Sequence, residues 1–324
     1  MQVLRIGMIG FGRVARGHHF RAYQALAKTD APIKLCAVCD TDLAALAHAG
    51  ELPAYTDLQQ MIERESLDAV DICVPTFLHE RLATQCMRAG LHVLCEKPMA
   101  LDIASCERMI ACRDQTNKQL MIAMPLRFYA PYLLMKRLID EGELGAPRRA
   151  YFTRSQAMPT SDWMLDERQS GGLLLDVMIH DLDAAGWLFG WPDALHCDGI
   201  PLPGSDAIGS ASAQFHYANG RMITLMADWL PYYNKHAVRV GRMDFERGYL
   251  YFDLERGVLD VVRANDEPKS HAALLTDPMY QNEIRYFASC ALHDEAPLRC
   301  PPEDGLHAVQ WCNRARKSVI DATI

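Results

Sequence analysis

An apolar run, Val3 to Ile9, feeds directly into Gly10-Phe11-Gly12-Arg13-Val14-Ala15. Few folds accept that order. A buried strand that enters a GxGxxA turn and leaves as a helix, here expected to about Ala27, opens a βαβ unit. Gly10 permits the tight turn, Gly12 lets the backbone approach a pyrophosphate, and Ala15 keeps the helix close to the sheet. The free N–H groups and positive dipole end of that helix favour phosphate. Gly10, Phe11, Gly12, Arg13 and Val14 are therefore the expected cofactor contacts.

A second apolar run, Ile33 to Val38, ends in Cys39-Asp40. A carboxylate at that strand tip accepts hydrogen bonds from ribose hydroxyls and repels a 2′-phosphate. No Arg or Lys follows between Thr41 and Ala49, so NAD is favoured over NADP. Asp40 is equally suited to a turn or a helix N-cap, and Asp42 is the stronger N-cap candidate. Leu67 to Pro75 reads as a third strand, with Pro75-Thr76 opening the loop toward a nicotinamide. His79 starts a helix with Leu82, Ala83, Cys86 and Met87 on one face, closed by Gly90; it either contacts cofactor or caps the helix. Leu91 to Cys95 is a fourth strand and ends in Glu96-Lys97-Pro98, where Pro98 holds Lys97 extended. That turn is either merely solvated or projects Lys97 into the crevice beyond the strand ends. Asp102 N-caps a helix to about Thr116, and Leu120 to Met124 is a fifth strand. The alternation predicts a doubly wound parallel sheet over residues 1–124.

The pattern changes at Pro125. A helix from about Tyr132 to Glu141 precedes strand-like runs at Arg149–Gln156, Ala211–Tyr217, Met222–Asp228, Ala237–Val240 and Tyr249–Leu254. Asn219-Gly220 is a strong hairpin signal and Glu246-Arg247-Gly248 a weaker one. Helices near Tyr280–Leu292 and Pro302–Ile320 close the chain. Residues 125–324 thus predict a second α/β domain with an open-faced, mainly antiparallel sheet, one face for substrate and the other for a second subunit. One helix interrupts the strands, introduced by Gly171-Gly172. Its Asp176 and His180 lie four apart on one face, with Asp183 between them angularly. The alternative is a capped helix with an internally paired histidine.

Other classes are disfavoured. The net charge is -8 and no block of Lys/Arg stands out, which argues against nucleic-acid or anionic-membrane partners. No run approaches the ~18 apolar residues of a membrane span. The N-terminus lacks a signal-peptide layout, so a cytoplasmic protein is expected. The 11 cysteines are scattered. Cys36 and Cys39 form a CxxC inside a strand, where residues three apart face opposite ways. No Cys/His spacing suggests a metal, and none is expected.

GxGxxA near the start, Glu-Lys-Pro after the fourth strand, and Gly171-Gly172-x-Leu-x-Asp176-x-x-x-His180-x-x-Asp183 together resemble the Gfo/Idh/MocA oxidoreductases. Tyr55-Thr56-Asp57-Leu58 and Gly142-Glu143-Leu144-Gly145 extend the resemblance over essentially the whole chain. It implies a Rossmann domain plus an open-faced α/β domain that assembles homodimers or homotetramers. It further implies Lys97, Asp176 and His180 as the catalytic set and Glu96 beside the nicotinamide ribose. Met178 before the residue preceding His180, where Gly is frequent, and Leu126 after the fifth strand bear on substrate class more than on chemistry. The implied activity is NAD-dependent hydride transfer involving a secondary alcohol or ketone of a sugar, cyclitol or polyol. His180 and Lys97 would handle the proton. Arg127 and Trp163 join Lys97, Asp176 and His180 as substrate candidates; like Tyr129 and Tyr280, they suit hydroxyl-rich ligands or plain packing. Two rivals are a non-catalytic dinucleotide-binding regulator, expected to have lost the Lys or His, and an NAD-dependent glycoside hydrolase of the same fold.

Overall fold

The computed structural model describes residues 2–229 and 237–323. In chain order its strands are β1 (Leu4–Ile9), β2 (Ile33–Cys39), β3 (Ala54–Tyr55), β4 (Ala69–Ile72), β5 (His92–Glu96), β6 (Leu120–Ala123), β7 (Pro147–Ser155), β8 (Ala194–Pro201), β9 (Ile208–His216), β10 (Met222–Asp228), β11 (Val238–Phe245), β12 (Gly248–Asp253), β13 (Val258–Arg263) and β14 (Lys269–Ser270). Its α-helices are α1 (Phe20–Leu26), α2 (Leu43–Leu46), α3 (Leu58–Arg64), α4 (His79–Arg88), α5 (Ile103–Thr116), α6 (Ala130–Asp140), α7 (Asp162–Leu165), α8 (Glu167–Ser170), α9 (Ile179–Phe189), α10 (Met279–His293) and α11 (Pro302–Thr323). Among the described residues no helix is long and apolar enough to cross a membrane.

The chain divides into two units, Met1–Phe128 with Pro278–Leu306, and Tyr129–Asp277 with His307–Ile324. This departs from the linear cut expected at residue 124, because a late segment returns to the first unit. Helix α10 explains the return. Its Ile284, Phe287, Ala288 and Ala291 are buried, and the helix packs on α1 and β1. Periodicity reveals such an apolar stripe but not which sheet it covers.

In the first unit six strands run in the order β3-β2-β1-β4-β5-β6, every pair parallel. Strands covered on both faces need near-continuous apolar runs, and Ile6, Met8, Val70, Ile72, Val93 and Leu94 are all fully buried. Helix starts follow ordinary capping chemistry. Asp42, Asp57 and Asp102 accept from the main-chain N–H of Ala44, Gln60 and Ser105 at 2.8, 2.9 and 2.8 Å. The two-residue edge strand β3 is too short to leave a periodic signal.

The second unit carries an eight-stranded sheet, order β14-β13-β12-β11-β7-β10-β9-β8, antiparallel except where β10 pairs with β7. The Asn219-Gly220 hairpin joins β9 to β10, with Gly220 at φ +79°. Glu246-Arg247 joins β11 to β12. Alternation fixes the faces. Ile223, Leu225, Ala227 and Phe152 point into the core, while Met222, Met226 and Tyr151 stand exposed on the opposite face. Strands β8, β13 and β14 are not evident from the sequence. β8 mixes His, Asp, Gly and Pro at a sheet edge, and β14 is two residues long.

Candidate functional site

Parallel strands place all their carboxyl ends along one edge of the first sheet, and β1 lies at its switch point between β2 and β4. The turn after β1 is tightly specified. Gly10 has φ +87°, and a Cβ there would lie 2.5 Å from the Cys73 carbonyl oxygen and 2.8 Å from Val74. Gly12 has no such neighbour within 4 Å, so the backbone there is open to a ligand. Phe11 is buried edge-on against Phe20, and Ala15 is fully buried. Arg13 and Val14 are exposed on the turn. The chain then winds through a widened helical turn, Ala15–His19, before α1.

Asp40, at the tip of β2, reaches across to this turn. Its Oδ2 accepts the Phe11 main-chain N–H at 2.6 Å and its Oδ1 accepts that of Asp42 at 2.9 Å. The carboxylate therefore braces the glycine turn, and each oxygen retains further acceptor capacity. After β4, Pro75 leads into a 3₁₀ turn, Thr76–Leu78, with Thr76 buried. His79 is 1 % exposed, its Nδ1 2.8 Å from the Pro98 carbonyl oxygen and its Nε2 2.9 Å from that of Val74. Burial lowers its pKa, with the two carbonyls opposing. Its ring thus ties the loop after β4 to the turn after β5.

That second turn holds Glu96, Lys97 and a cis Lys97–Pro98 peptide. Glu96 is buried and Lys97 half-buried. Glu96 Oε2 accepts the Lys97 main-chain N–H at 3.0 Å, and Oε1 lies 2.8 Å from His19 Nε2. Asp40, the Gly10 turn, Thr76 and Lys97 follow β2, β1, β4 and β5, adjacent strands of one edge. Sequence inspection overlooks His19, Tyr23 and Asp71, all buried beneath the same edge. The available signal was Asp71 itself, a carboxylate inside an apolar strand.

In the second unit Leu174–Met178 form another widened turn, continued by α9. Gly171 and Gly172 introduce it at φ +80° and +63°. Residues 171–186 are buried except Asp176 and His180, which are half-exposed. Gln156 Nε2 donates to Asp176 Oδ2 at 3.3 Å. The helix is anchored to β7 by Asp181, whose two oxygens accept from Arg154 Nε and Nη2 at 2.8 and 2.9 Å. At the adjoining strand ends Asp228 accepts the Ser155 hydroxyl at 2.8 Å and that of Ser210. Asp183 is 1 % exposed.

The remaining candidates sit differently. Arg127, in the 3₁₀ turn Pro125–Phe128, is 1 % exposed. Its Nη1 donates to the Arg299 carbonyl at 2.9 Å and to Asp304 at 2.6 Å, which makes it a tie within the first unit. Trp163 is half-buried on α7. Tyr129 donates to the Leu275 carbonyl, and Tyr280 stacks on His18 at 4.7 Å. Cys36 and Cys39 are buried free thiols. Burial raises both, that of Cys39 to about 11.

A six-stranded 3-2-1-4-5-6 sheet with a glycine turn at its switch point defines a dinucleotide-binding Rossmann unit, here followed by a mixed-sheet α/β unit. Residues 4–124 match the family model described as "Oxidoreductase family, NAD-binding Rossmann fold". Residues 132–246 match the "GFO/IDH/MocA C-terminal domain". The chain belongs to the Gfo/Idh/MocA oxidoreductase family. It is 29 % identical to the inositol 2-dehydrogenase of Rhizobium meliloti over 335 aligned positions, covering 98 % of this chain and 97 % of that one. It is 34 % identical to the myo-inositol 2-dehydrogenase of Thermotoga maritima, but that match spans only 58 % of this chain and 55 % of the relative. Among solved structures, the aldose-aldose oxidoreductase of Caulobacter crescentus superposes with TM-score 0.84 at 21 % identity, over 99 % and 98 % of the two chains. Levoglucosan dehydrogenase, in complex with NADH and levoglucosan, does so with TM-score 0.85 at 21 % identity and the same coverage. At that identity the superpositions establish the shared fold.

Proposed function

We propose that this chain is an NAD-dependent dehydrogenase acting on a secondary alcohol, or the corresponding ketone, of a sugar, cyclitol or polyol. The observation that carries the proposal is the glycine turn at the switch point, braced by Asp40, in a chain of this family. The residues suit a dinucleotide. The open space at Gly12 leaves room for a pyrophosphate against the backbone. Asp40 keeps acceptor capacity for ribose hydroxyls and disfavours a 2′-phosphate, so NAD is preferred to NADP. Gly10, Phe11, Gly12, Arg13, Val14, Pro75, Thr76 and Glu96 would complete its binding, with His79 holding two of the loops together.

Bound nicotinamide supplies the acceptor or donor of hydride. The chain's own part is the proton. Lys97 hydrogen-bonds the reacting oxygen and stabilises charge developing there. His180 takes or returns the hydroxyl proton, and Asp176 orients the substrate hydroxyl or the histidine. That Asp176 and His180 alone stay half-exposed in an otherwise buried stretch supports this division of labour. The names of the inositol and D-glucoside dehydrogenase relatives support the substrate class. The exposed sheet face bearing Met222, Met226 and Tyr151 supports assembly as a homodimer or homotetramer.

The test is a screen of inositols, sugars and sugar derivatives with NAD and with NADP, read as absorbance of the reduced cofactor. On a substrate so found, Lys97→Ala and His180→Ala should each lower kcat by about 10²-fold or more. Unchanged turnover in both variants sinks the catalytic assignment. NAD binding without turnover on any polyol points instead to a regulator, and NAD-dependent release of a chromogenic aglycone points to a glycosidase.

A further inference from the structure

Beneath the cofactor edge, His19 is fully buried between two carboxylates. Its Nδ1 lies 2.8 Å from Asp71 Oδ2 and its Nε2 2.8 Å from Glu96 Oε1. The other acceptor sites of both carboxylates also face donors. Asp71 Oδ2 accepts the Tyr23 hydroxyl at 3.0 Å, and Asp71 Oδ1 accepts the Cys73 thiol at 3.4 Å. Glu96 Oε2 accepts the Lys97 main-chain N–H at 3.0 Å. An ionised carboxylate only accepts, so satisfying both at once requires a proton on each ring nitrogen. A ring protonated on both nitrogens offers no lone pair to a metal, although His19, Asp71 and Cys73 lie within 4.8 Å of one another.

We propose that His19 is a positioning residue, an imidazolium clamped between Asp71 and Glu96 that fixes the Glu96 carboxylate and, through it, the Lys97 turn. This deepens the dehydrogenase proposal and rests on it, because Glu96 is taken there as a cofactor contact. The clamp has a mechanical meaning. His19 closes the widened turn that follows the glycine motif, whereas Glu96 ends β5. The ring therefore joins the phosphate-binding turn to the turn that carries Lys97.

The groups facing His19 are its neighbour His18, Asp71 and Cys73 at the end of β4, Tyr23 on α1, Glu96 on β5, and Glu283 and Tyr280 on α10. Burial, the largest single effect, lowers the His19 pKa, but Asp71 and Cys73 together outweigh it and leave the group well above the ordinary histidine range. Burial likewise opposes ionisation of Glu96, yet His19 brings it below the usual value. Glu283 is fully buried, and burial raises its pKa well above the ordinary value.

The experiment has two arms. In the first, ring-15N-histidine protein is examined by NMR without substrate, and His19 is assigned by its absence in His19→Gln. The expected result at pH 7.5 is an imidazolium signature, with protons on both ring nitrogens. A neutral tautomer, with the proton transferred to Glu96, overturns the proposal. In the second, NADH affinity is titrated by fluorescence across pH. His19→Gln should weaken NADH binding about tenfold. It should also add a titration step absent from the wild type, because Glu96 without its cation takes up a proton more readily. Glu96→Gln should lower affinity similarly without that added step. Wild-type affinity and pH profile in His19→Gln overturn the clamp. If His19→Gln does not fold, Glu96→Gln serves to assign the His19 signal and the first arm decides. If the wild type oxidises no alcohol, the dehydrogenase reading fails, while both arms still test His19.

Discussion

The anchor of the Asp176/His180 helix can be tested energetically. Asp181 is 4 % exposed and grips Arg154 through two parallel hydrogen bonds, with the Tyr132 hydroxyl 3.4 Å from its Oδ1. Replacing Asp181 with Ala removes both charge-assisted bonds from a nearly dry pair. Breaking such a pair costs about 3–5 kcal/mol. In a unit of this size each kcal/mol lowers Tm by about 2–4 °C, so the unfolding of the second unit should move down by about 6–20 °C. Removing both charges is different in kind, because the desolvation cost of the pair goes with it. Arg154→Met with Asp181→Leu should therefore recover most of the loss. Differential scanning calorimetry of the wild type, both single variants and the double variant closes the cycle. The reasoning is refuted if Asp181→Ala costs less than about 1 kcal/mol, the range of a solvated surface pair. It is also refuted if the double variant is as unstable as the sum of the singles.

Other consequences follow from the first unit. Because the folded pKa of His19 is raised, its stabilisation is fully present below about pH 6.5 and is lost as pH rises through the folded value. Tm should fall over that range, and the fall should be shallower in His19→Gln. Glu283 also has a raised folded pKa, so the native state keeps a proton that the unfolded chain releases above about pH 4.3. Glu283→Met should raise Tm at pH 7.5 and change it little at pH 4, and an equal gain at both would contradict the assignment. Gly10→Ala sets a Cβ against the Cys73 carbonyl at a left-handed φ. Its conformational strain alone is about 1–2 kcal/mol, and isothermal titration should show NAD binding lost; retained affinity would mean that the turn is not the cradle. Asp40→Ala should narrow the ratio of NADP to NAD dissociation constants by about tenfold, and an unchanged ratio would remove Asp40 from cofactor choice.

The strand, glycine turn and helix that open the Rossmann unit were legible because their chemistry is local. A glycine turn needs its neighbours in sequence, and Asp40, Thr76 and Lys97 each stand at the end of an apolar run. The hairpins at Asn219-Gly220 and Glu246-Gly248 were readable for the same reason. What escaped was set by distant parts of the chain. His19 looks like any helical histidine until Asp71 and Glu96, 52 and 77 residues away, close on its two nitrogens. Arg127 has the composition of a substrate residue, and only the position of Asp304 shows that it is already committed to the protein. β8 and β14 exist because a neighbouring strand offers them hydrogen bonds, and their own residues announce little.

The first unit is assembled from two stretches far apart in the chain, and this governs the order in which it can be built. Synthesis runs from the N-terminus. All six strands of the parallel sheet are complete once Ala123 has been made, yet α10, which packs on α1 and β1, starts only at Met279. During translation the emerging sheet must therefore wait, with the surface meant for Ile284 and Phe287 uncovered, while some 150 residues of the other unit are added. The glycine motif is made well before α10, so the body that holds it is finished only after residues 129–277 of the other unit have been added. A fragment ending at residue 124 would keep the whole parallel sheet and its glycine turn and still lack the helix that packs on α1 and β1.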